Sequence, residues 1–367
     1  MKELLVVKKG ISVLDSLPLL ILIPIFLAGA VAVWSAGTQL SNTIDILSSR
    51  FGFGQAIGGL IFLAFATNLP EIAITSSAAL TNNIGVAIGN ILGGIAIQTV
   101  VLVVLDVFGL WSSDALTYEA ASLQLVLEGM LVVSMLTISI MATRLPSSLI
   151  FLHITPGSLL IVVLWLVGIW LVQKARTDLP WQDKGRAPDR VETTADKQVK
   201  EKQEKRKKQS TTRVIMTFII ASVVTLVAGV ALEETSNAIA KDIGLSNVVF
   251  AATFLAAATA LPEVSTGLQS VKIRDYDLAV SDIFGGNAFL PVLFFLADLL
   301  SGQATLPHAM NSDVYLAALG ILLTAVYIYG LIFRPRRQIF RMGIDSLIVL
   351  ILYVLGIVGL IAVAHGH

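Results

Sequence analysis

Three observations predict an all-α polytopic membrane protein of ten transmembrane helices, arranged as two inverted-topology repeats of five. Of the 367 residues, 56% are hydrophobic and 14% charged, a balance that water-soluble domains do not show. Apolar runs long enough to cross about 30 Å of hydrocarbon recur along the chain. And one phrase occurs twice: Leu63-Ala-Phe-Ala-Thr-Asn-Leu-Pro-Glu71 returns as Leu255-Ala-Ala-Ala-Thr-Ala-Leu-Pro-Glu263, identical at seven of nine places and offset by 192 residues. At the same offset, Ile88-Gly-Asn-Ile-Leu-Gly-Gly-Ile-Ala96 is echoed by Val280-Ser-Asp-Ile-Phe-Gly-Gly-Asn-Ala288. Two echoes in one register indicate an internal duplication of a membrane segment.

In chain order, the first run, 17–40, follows Lys2, Lys8 and Lys9 with no small-residue cleavage site behind it, and reads as a spanning helix rather than a removed signal. The next four cover 54–80, 84–110, 117–142 and 148–173. Residues 174–212 are rich in Lys, Glu, Gln, Asp and Thr, lack apolar periodicity after Trp181, and read as a solvated linker, with a partly helical stretch expected around Lys197–Lys208. Five further runs follow at 214–240, 246–270, 278–301, 313–333 and 343–364. The chain thus divides into a first repeat, 1–173, the linker, 174–212, and a second repeat, 213–367. The duplicated core of each repeat lies at about 54–110 and 246–301.

Placing the linker in the cytoplasm puts twenty of the 25 Lys and Arg residues inside and five outside, as the positive-inside rule requires. Both termini are then outside, and an integral protein of the plasma (inner) membrane is expected. Because five spans is an odd number, the second half enters from the opposite face, and the repeats are inverted.

Each echoed phrase places a carboxylate in mid-span, where its charge costs about 2.5–3.5 kcal/mol. Pro70 and Pro262 precede these glutamates and break the helix, removing a backbone donor. The carbonyls so freed lie around Ala66–Thr67 and Ala258–Thr259. Non-helical backbone at that depth is tolerated against protein or a wet cavity. Inverted symmetry brings the two sets together: Glu71, Glu263 and unpaired carbonyl oxygens, a hard all-oxygen site. Ca²⁺, which takes six to eight oxygens in flexible geometry, suits it best. No His accompanies the motif and the chain has no Cys, which excludes disulfides, thiolate sites and soft-metal chemistry. Without a cation the two carboxylates do not both ionise, so protons and Ca²⁺ compete for the pair. Gly85, Gly89, Gly93 and Gly94, with Gly285 and Gly286, read as helix-packing residues. Among them Asn90, Gln98, Asp282 and Asn287 are polar, and Asn90 and Asp282 are repeat equivalents, so both are candidates to face the central site.

These residues resemble the sodium/calcium exchanger family of cation/Ca²⁺ antiporters, whose two inverted halves each carry a Gly-Thr-Ser-Leu-Pro-Glu phrase and then a Gly-Asn…Gly-Ser-Asn stretch. Here the phrases read Ala-Thr-Asn-Leu-Pro-Glu and Ala-Thr-Ala-Leu-Pro-Glu. The resemblance implies that Glu71 and Glu263 ligate Ca²⁺ and that Thr67 and Thr259 lend backbone carbonyls. It also marks departures: the family's Ser after Thr is Asn68 or Ala260, its later Ser is Gly94 or Gly286, and the polar residue four places on is Gln98 in one half but Leu290 in the other. In sodium exchangers those positions supply Na⁺ oxygens. Asn68 is similar instead to the corresponding phrase of Ca²⁺/proton antiporters, so the coupling ion is left between Na⁺ and H⁺. The candidate ion-binding set is Glu71, Glu263, Thr67, Thr259, Asn68, Asn90, Gln98 and Asp282.

The expected partners are inorganic cations and the lipid bilayer, with no nucleic acid and no resident cofactor; Ca²⁺ and Na⁺ or H⁺ are cargo. The alternatives are a passive divalent-cation channel that uses the same carboxylates as a filter, or an antiporter of Mg²⁺ or Mn²⁺. Enzyme motifs such as His-Glu-x-x-His or Gly-x-Ser-x-Gly are absent from the sequence. Glu128 and Asp298 lack repeat partners and are expected to hydrogen-bond locally, and Asp106 to sit at a helix end. Glu233 and Glu234 follow an Ala228-Gly229 that echoes Ala28-Gly29; they read either as lining an entry path in the first-to-sixth helix pair or, preferably, as lying at the membrane interface. His153 and the basic run Lys205–Lys208 read as structural and solvated, respectively.

Overall fold

A computed structural model describes residues 17–51, 65, 67–110, 114–120, 122–146, 149–151, 153–177, 209–272 and 274–365. The linker stretch 178–208, with its expected helix and basic run, and most of the first half of the second span lie outside the described residues. The long helices are α1 (Leu19–Phe51), α2 (Leu69–Leu80), α3 (Ile84–Gly109), α4 (Leu123–Ala142) and α5 (Pro156–Thr177), then α6 (Thr211–Asp242). There follow α7 (Asn247–Thr259), α8 (Leu261–Lys272), α9 (Tyr276–Ser301), α10 (Asn311–Phe333) and α11 (Ile344–His365). A two-residue hairpin, β1 (Gln338–Ile339) with β2 (Met342–Gly343), joins α10 to α11. Among the described residues eight helices are long and apolar enough to cross a membrane, or nine when α7 and α8, bent by 43°, count as one span. The expected ten is not reached, because of the second span the described residues supply the twelve-residue α2 and little before it.

The halves are inverted. Arg50, at the end of α1, donates to the Thr211 hydroxyl at the start of α6 (2.9 Å), while Gly29 near the other end of α1 lies against Leu232 of α6. These equivalent helices therefore run antiparallel. Their shared ends at Arg50 and Thr211 define the linker side of the molecule; Leu19 and Asp242 define the far side.

Packing divides the molecule in two. One large apolar core runs through α3, α4, α5, α7, α9, α10 and α11, with Phe284, Phe289, Phe294 and Tyr327 among its bulkiest members. Among the described residues it contains none from α1 or α6. Those two pack on each other and reach the rest through separate, smaller clusters, with Leu20, Val31, Val223 and Val227 left on the apolar exterior. Glu128 and Asp298 hydrogen-bond as expected, Glu128 accepting from the Gln124 side-chain amide (2.6 Å). Asp298 accepts from the Thr305 amide (2.7 Å), the Thr305 hydroxyl (2.6 Å) and the Ser158 hydroxyl (2.7 Å). Asp106, in the last turn of α3, accepts from the amides of Leu116 and Gly343.

Candidate cation site

The two Pro-Glu phrases break their helices in the same way. With no N–H on Pro70 or Pro262, the helical ladder restarts beyond it, at Ile72 donating to the Asn68 carbonyl (3.0 Å) and Val264 to the Ala260 carbonyl (3.1 Å). These are repeat equivalents. Each break makes a new helix N-terminus, α2 or α8, and places its glutamate in the first turn. There the exposed amides and the helix dipole favour a negative charge by about 0.3–1 kcal/mol, offsetting part of the burial cost. The same sequence feature that removes a donor thus makes a place for the carboxylate.

Glu71 is 0% exposed and Glu263 8%. Gln98 of α3 donates its side-chain amide to Glu71 Oε1 (3.2 Å). The Thr259 hydroxyl, from the opposite repeat, lies beside the Glu71 carboxylate and donates to the Ala256 carbonyl (3.1 Å). Glu263 in turn stands within electrostatic reach of both Glu71 and Asp282. Asp282 accepts from the Thr266 hydroxyl (3.2 Å). Three buried acceptors in this cluster, Glu71 Oε2, Glu263 Oε2 and Gln98 Oε1, have no hydrogen-bond partner. Buried oxygens of this kind cost about 1–3 kcal/mol each unless something satisfies them. Among the described residues, no cluster of three or more carboxylate or imidazole groups closes to metal-ligating distance. The arrangement is a short line of carboxylates, Glu71–Glu263–Asp282, with neutral oxygens around it, which suits a cation taking several oxygens of mixed kind.

A narrow cleft, with room for little more than a water molecule, leads away from this line, bounded by Gly37, Ser41, Thr67, Asn68, Gln98, Pro262, Glu263, Thr266, Asp282 and Gly286. Gly37 and Ser41 lie between the middle of α1 and its linker end, Thr266 between Glu263 and the linker end of α8. The cleft is therefore on the linker side. It brings together Glu263, Asp282, Gln98, Asn68 and Thr67 of the expected set, with Glu71 sealed just behind. The side-chain oxygens of Gln98 and Asn68 converge on Gly286, 3.4 and 3.5 Å from where a β-carbon there would stand. Asn90 is not among the cleft residues: its amide faces Thr75 at 3.5 Å, on the other face of the break. Asn287 is buried nearby and donates to the Thr99 hydroxyl (3.1 Å), tying α9 to α3.

Two features go beyond the preferred sequence reading. Residues Ala251–Leu255 of α7 form a π-helical turn, a form that recurs at functional sites, and α3 packs on it so closely that a β-carbon on Gly93 would meet the Ala252 Cβ at 2.7 Å and its carbonyl carbon at 2.9 Å. Glu233, expected at the interface, is instead 1% exposed. Its carboxylate accepts from Ser77 (2.9 Å), Asn83 (3.2 Å) and Asn237 (2.6 Å). It is buried because three neutral donors converge on it.

Inverted halves, each with a broken helix that turns a carboxylate inward, define the class of two-repeat membrane exchangers. The chain belongs to the sodium/calcium exchanger family, whose sequence pattern, described as sodium/calcium exchanger protein, matches residues 21–174 and 213–362, the two halves without the linker. It is 25% identical over 293 residues to the inner membrane protein YrbG of Escherichia coli (strain K12), covering 79% of this chain and 83% of that one. The fold is similar to that of the H⁺/Ca²⁺ exchanger CAX, with a TM-score of 0.64 at 17% identity, covering 98% of this chain and 87% of the other. It is also similar to YfkE (TM-score 0.59, 15% identity, 98% and 97% covered) and to the sodium-calcium exchanger NCX_Mj (TM-score 0.56, 15% identity, 93% and 99% covered).

Proposed function

We propose that this protein exchanges Ca²⁺ for Na⁺ or H⁺ across the plasma (inner) membrane, with the linker cytoplasmic, and that Glu71 and Glu263 are the paired ligands of the transported ion. One observation carries the reading. Two buried glutamates from equivalent half-helix termini face one another, and each keeps an oxygen with no partner, beside the unpartnered Gln98 oxygen. Ca²⁺ would satisfy all three, with Thr67, Thr259 and Asn68 supplying further oxygen and Asp282 standing toward the cleft. Asn90 has the weakest claim of the candidate set. Alternating access follows from the division of packing: α1 and α6 move as a pair against the larger core and expose the glutamates first to one side, then to the other.

Between the two coupling ions, the residues favour protons. Gly286 and Leu290 lack the oxygens that the family resemblance associates with Na⁺, whereas three carboxylates with no cationic partner among the described residues offer proton acceptors. The test is ⁴⁵Ca²⁺ uptake into proteoliposomes under an imposed proton gradient or an imposed Na⁺ gradient. Proton-driven uptake that is abolished in Glu71→Gln and in Glu263→Gln is expected. Full uptake in either variant would overturn the paired-ligand reading, and flux that needs no counter-ion gradient would point to a channel.

A further inference from the structure

Repeat symmetry makes a demand that this structure does not meet evenly. Residues 192 apart are equivalent, so Gly37 pairs with Gly229, Ser41 with Glu233, Thr266 with Ile74, and Asp282 with Asn90. Near the linker side, Gly37 of α1 touches Pro262: a β-carbon there would stand 2.5 Å from the proline ring. On the opposite side Gly229 of α6 touches Ala73 of α2, at 2.7 Å by the same measure. Both glycines let the α1–α6 pair approach a broken helix. One turn beyond each, the two sides diverge. Ser41 lines the cleft. Glu233 is buried and binds across the gap, accepting from Ser77 on α2 and from Asn83 at the start of α3, while Asn237 on its own helix holds the carboxylate in place. Ile74, in the place of cleft-lining Thr266, is fully buried against α6.

We propose that Glu233 is a positioning residue that latches α6 to the α2–α3 turn and so closes the far-side route to the glutamate pair while the linker-side route is open. It ligates no ion. Its role rests on the alternating-access reading above and adds the group that holds one of the two routes shut. Hydrogen bonds to a carboxylate are stronger than those between neutral groups, and the single hydroxyl of Ser41 offers nothing comparable on the other side. The latch therefore biases the resting protein toward the linker-side-open state, and transport requires that Glu233 release Ser77 and Asn83 as α6 moves.

The chain contains no cysteine, so single cysteines report accessibility without background. Ser41→Cys probes the linker-side cleft and Ile74→Cys the equivalent far-side position, each treated with a membrane-impermeant thiol reagent from both faces of the membrane in the absence of Ca²⁺. With Glu233 present, Ser41→Cys reacts and Ile74→Cys is protected. Adding Glu233→Ala is expected to raise the Ile74→Cys labelling rate at least fivefold and to lower that of Ser41→Cys, with Glu233→Gln intermediate because its amide keeps one acceptor. If Glu233→Ala does not give monodisperse protein, the paired Ser77→Ala and Asn83→Ala substitutions remove the latch's partners and are read in the same way. Unchanged labelling at both reporters in folded protein would overturn the proposal. Labelling needs neither Ca²⁺ nor a gradient, so a failure here is distinguishable from failure of the transport reading, which uptake alone decides.

Discussion

Replacing Gln98 with Leu, the residue its repeat equivalent already carries at position 290, isolates one interaction at the centre of the site. Gln98 is buried and donates to Glu71 Oε1 at 3.2 Å. A hydrogen bond to a charged group contributes about 1.5–3 kcal/mol. Leu is close to Gln in volume and leaves the surrounding packing in place, so the loss falls on the carboxylate. It also removes Gln98 Oε1 as a candidate ligand. At about 1.4 kcal/mol per tenfold change, Ca²⁺ binding should weaken by roughly 10- to 100-fold. Isothermal titration of purified protein, or the half-saturating Ca²⁺ concentration for uptake, measures this. The control is Asn287→Leu. That amide is equally buried but donates to the Thr99 hydroxyl, a neutral partner, so its removal costs about 1 kcal/mol of stability and should leave Ca²⁺ affinity within about threefold. A Gln98→Leu affinity within twofold of the parent would refute the assignment of Gln98 to Glu71. So would equal losses in both variants, which would make the effect one of general packing.

Other consequences are sharper in stability or ion preference. Gly93→Ala forces a β-carbon into the backbone of the π turn at Ala252 and should lower stability by about 1–3 kcal/mol, whereas Gly285→Ala, whose β-carbon meets nothing within 4 Å, should be neutral or stabilising by up to about 1 kcal/mol; thermal unfolding of the two compares them directly. Asp298→Ala leaves the buried Thr305 amide without its acceptor, while the Ser158 hydroxyl keeps the Thr155 carbonyl, and should cost about 1–3 kcal/mol, with Ca²⁺ affinity of the surviving folded protein unchanged. Gly286→Ser sets a hydroxyl where the Gln98 and Asn68 oxygens converge, and Na⁺-driven uptake should rise relative to proton-driven uptake. Lowering the pH should reduce Ca²⁺ binding in a way that added Ca²⁺ overcomes, since protons and Ca²⁺ compete for the same oxygens; inhibition that no Ca²⁺ concentration relieves would place the proton elsewhere.

What could be read from the sequence was whatever membrane burial makes expensive. Glu71, Glu263 and the prolines before them stand out because a carboxylate and a missing donor in mid-span both need a reason, and because each occurs twice. The same logic leads to Gln98 and Asp282, polar residues in Gly-rich runs. Glu233 is as deeply buried, yet its equivalent is Ser41, so duplication gives no signal and its position near a helix end makes an interfacial reading the natural one. Its burial depends on Ser77 and Asn83, about 150 residues earlier, and no local pattern announces that meeting. The π turn at Ala251–Leu255 is hidden for a different reason: its Ala-rich sequence fits an α-helix equally well, and the close approach of Gly93 is set by tertiary packing. Asn90 and Asp282 show the limit of symmetry itself. They are equivalent in register, yet Asp282 lines the cleft and Asn90 faces Thr75 away from it.

That limit bears on how such a protein works. Were the halves identical, exchanging their roles would give the far-side-open state at the same free energy, and neither side would be preferred at rest. The halves here differ at the positions that meet along the two routes: Ser41 against Glu233, Thr266 against Ile74, Asp282 against Asn90, Leu290 against Gln98. In the state seen, Glu233 has three donors and Ile74 is packed, while Asp282 and Thr266 face the cleft. Exchanging the roles would break the bonds from Ser77 and Asn83 and bury Asp282 with Thr266 as its described partner. Both changes oppose the far-side-open state in the absence of ion. A ligand shifts such an equilibrium only by its difference in affinity for the two states. A cation held by Glu71 and Glu263 would offset the charge of nearby Asp282, whose burial opposes the exchange. The ion would then be a condition of the movement as well as its cargo, a requirement that separates an exchanger from a leak.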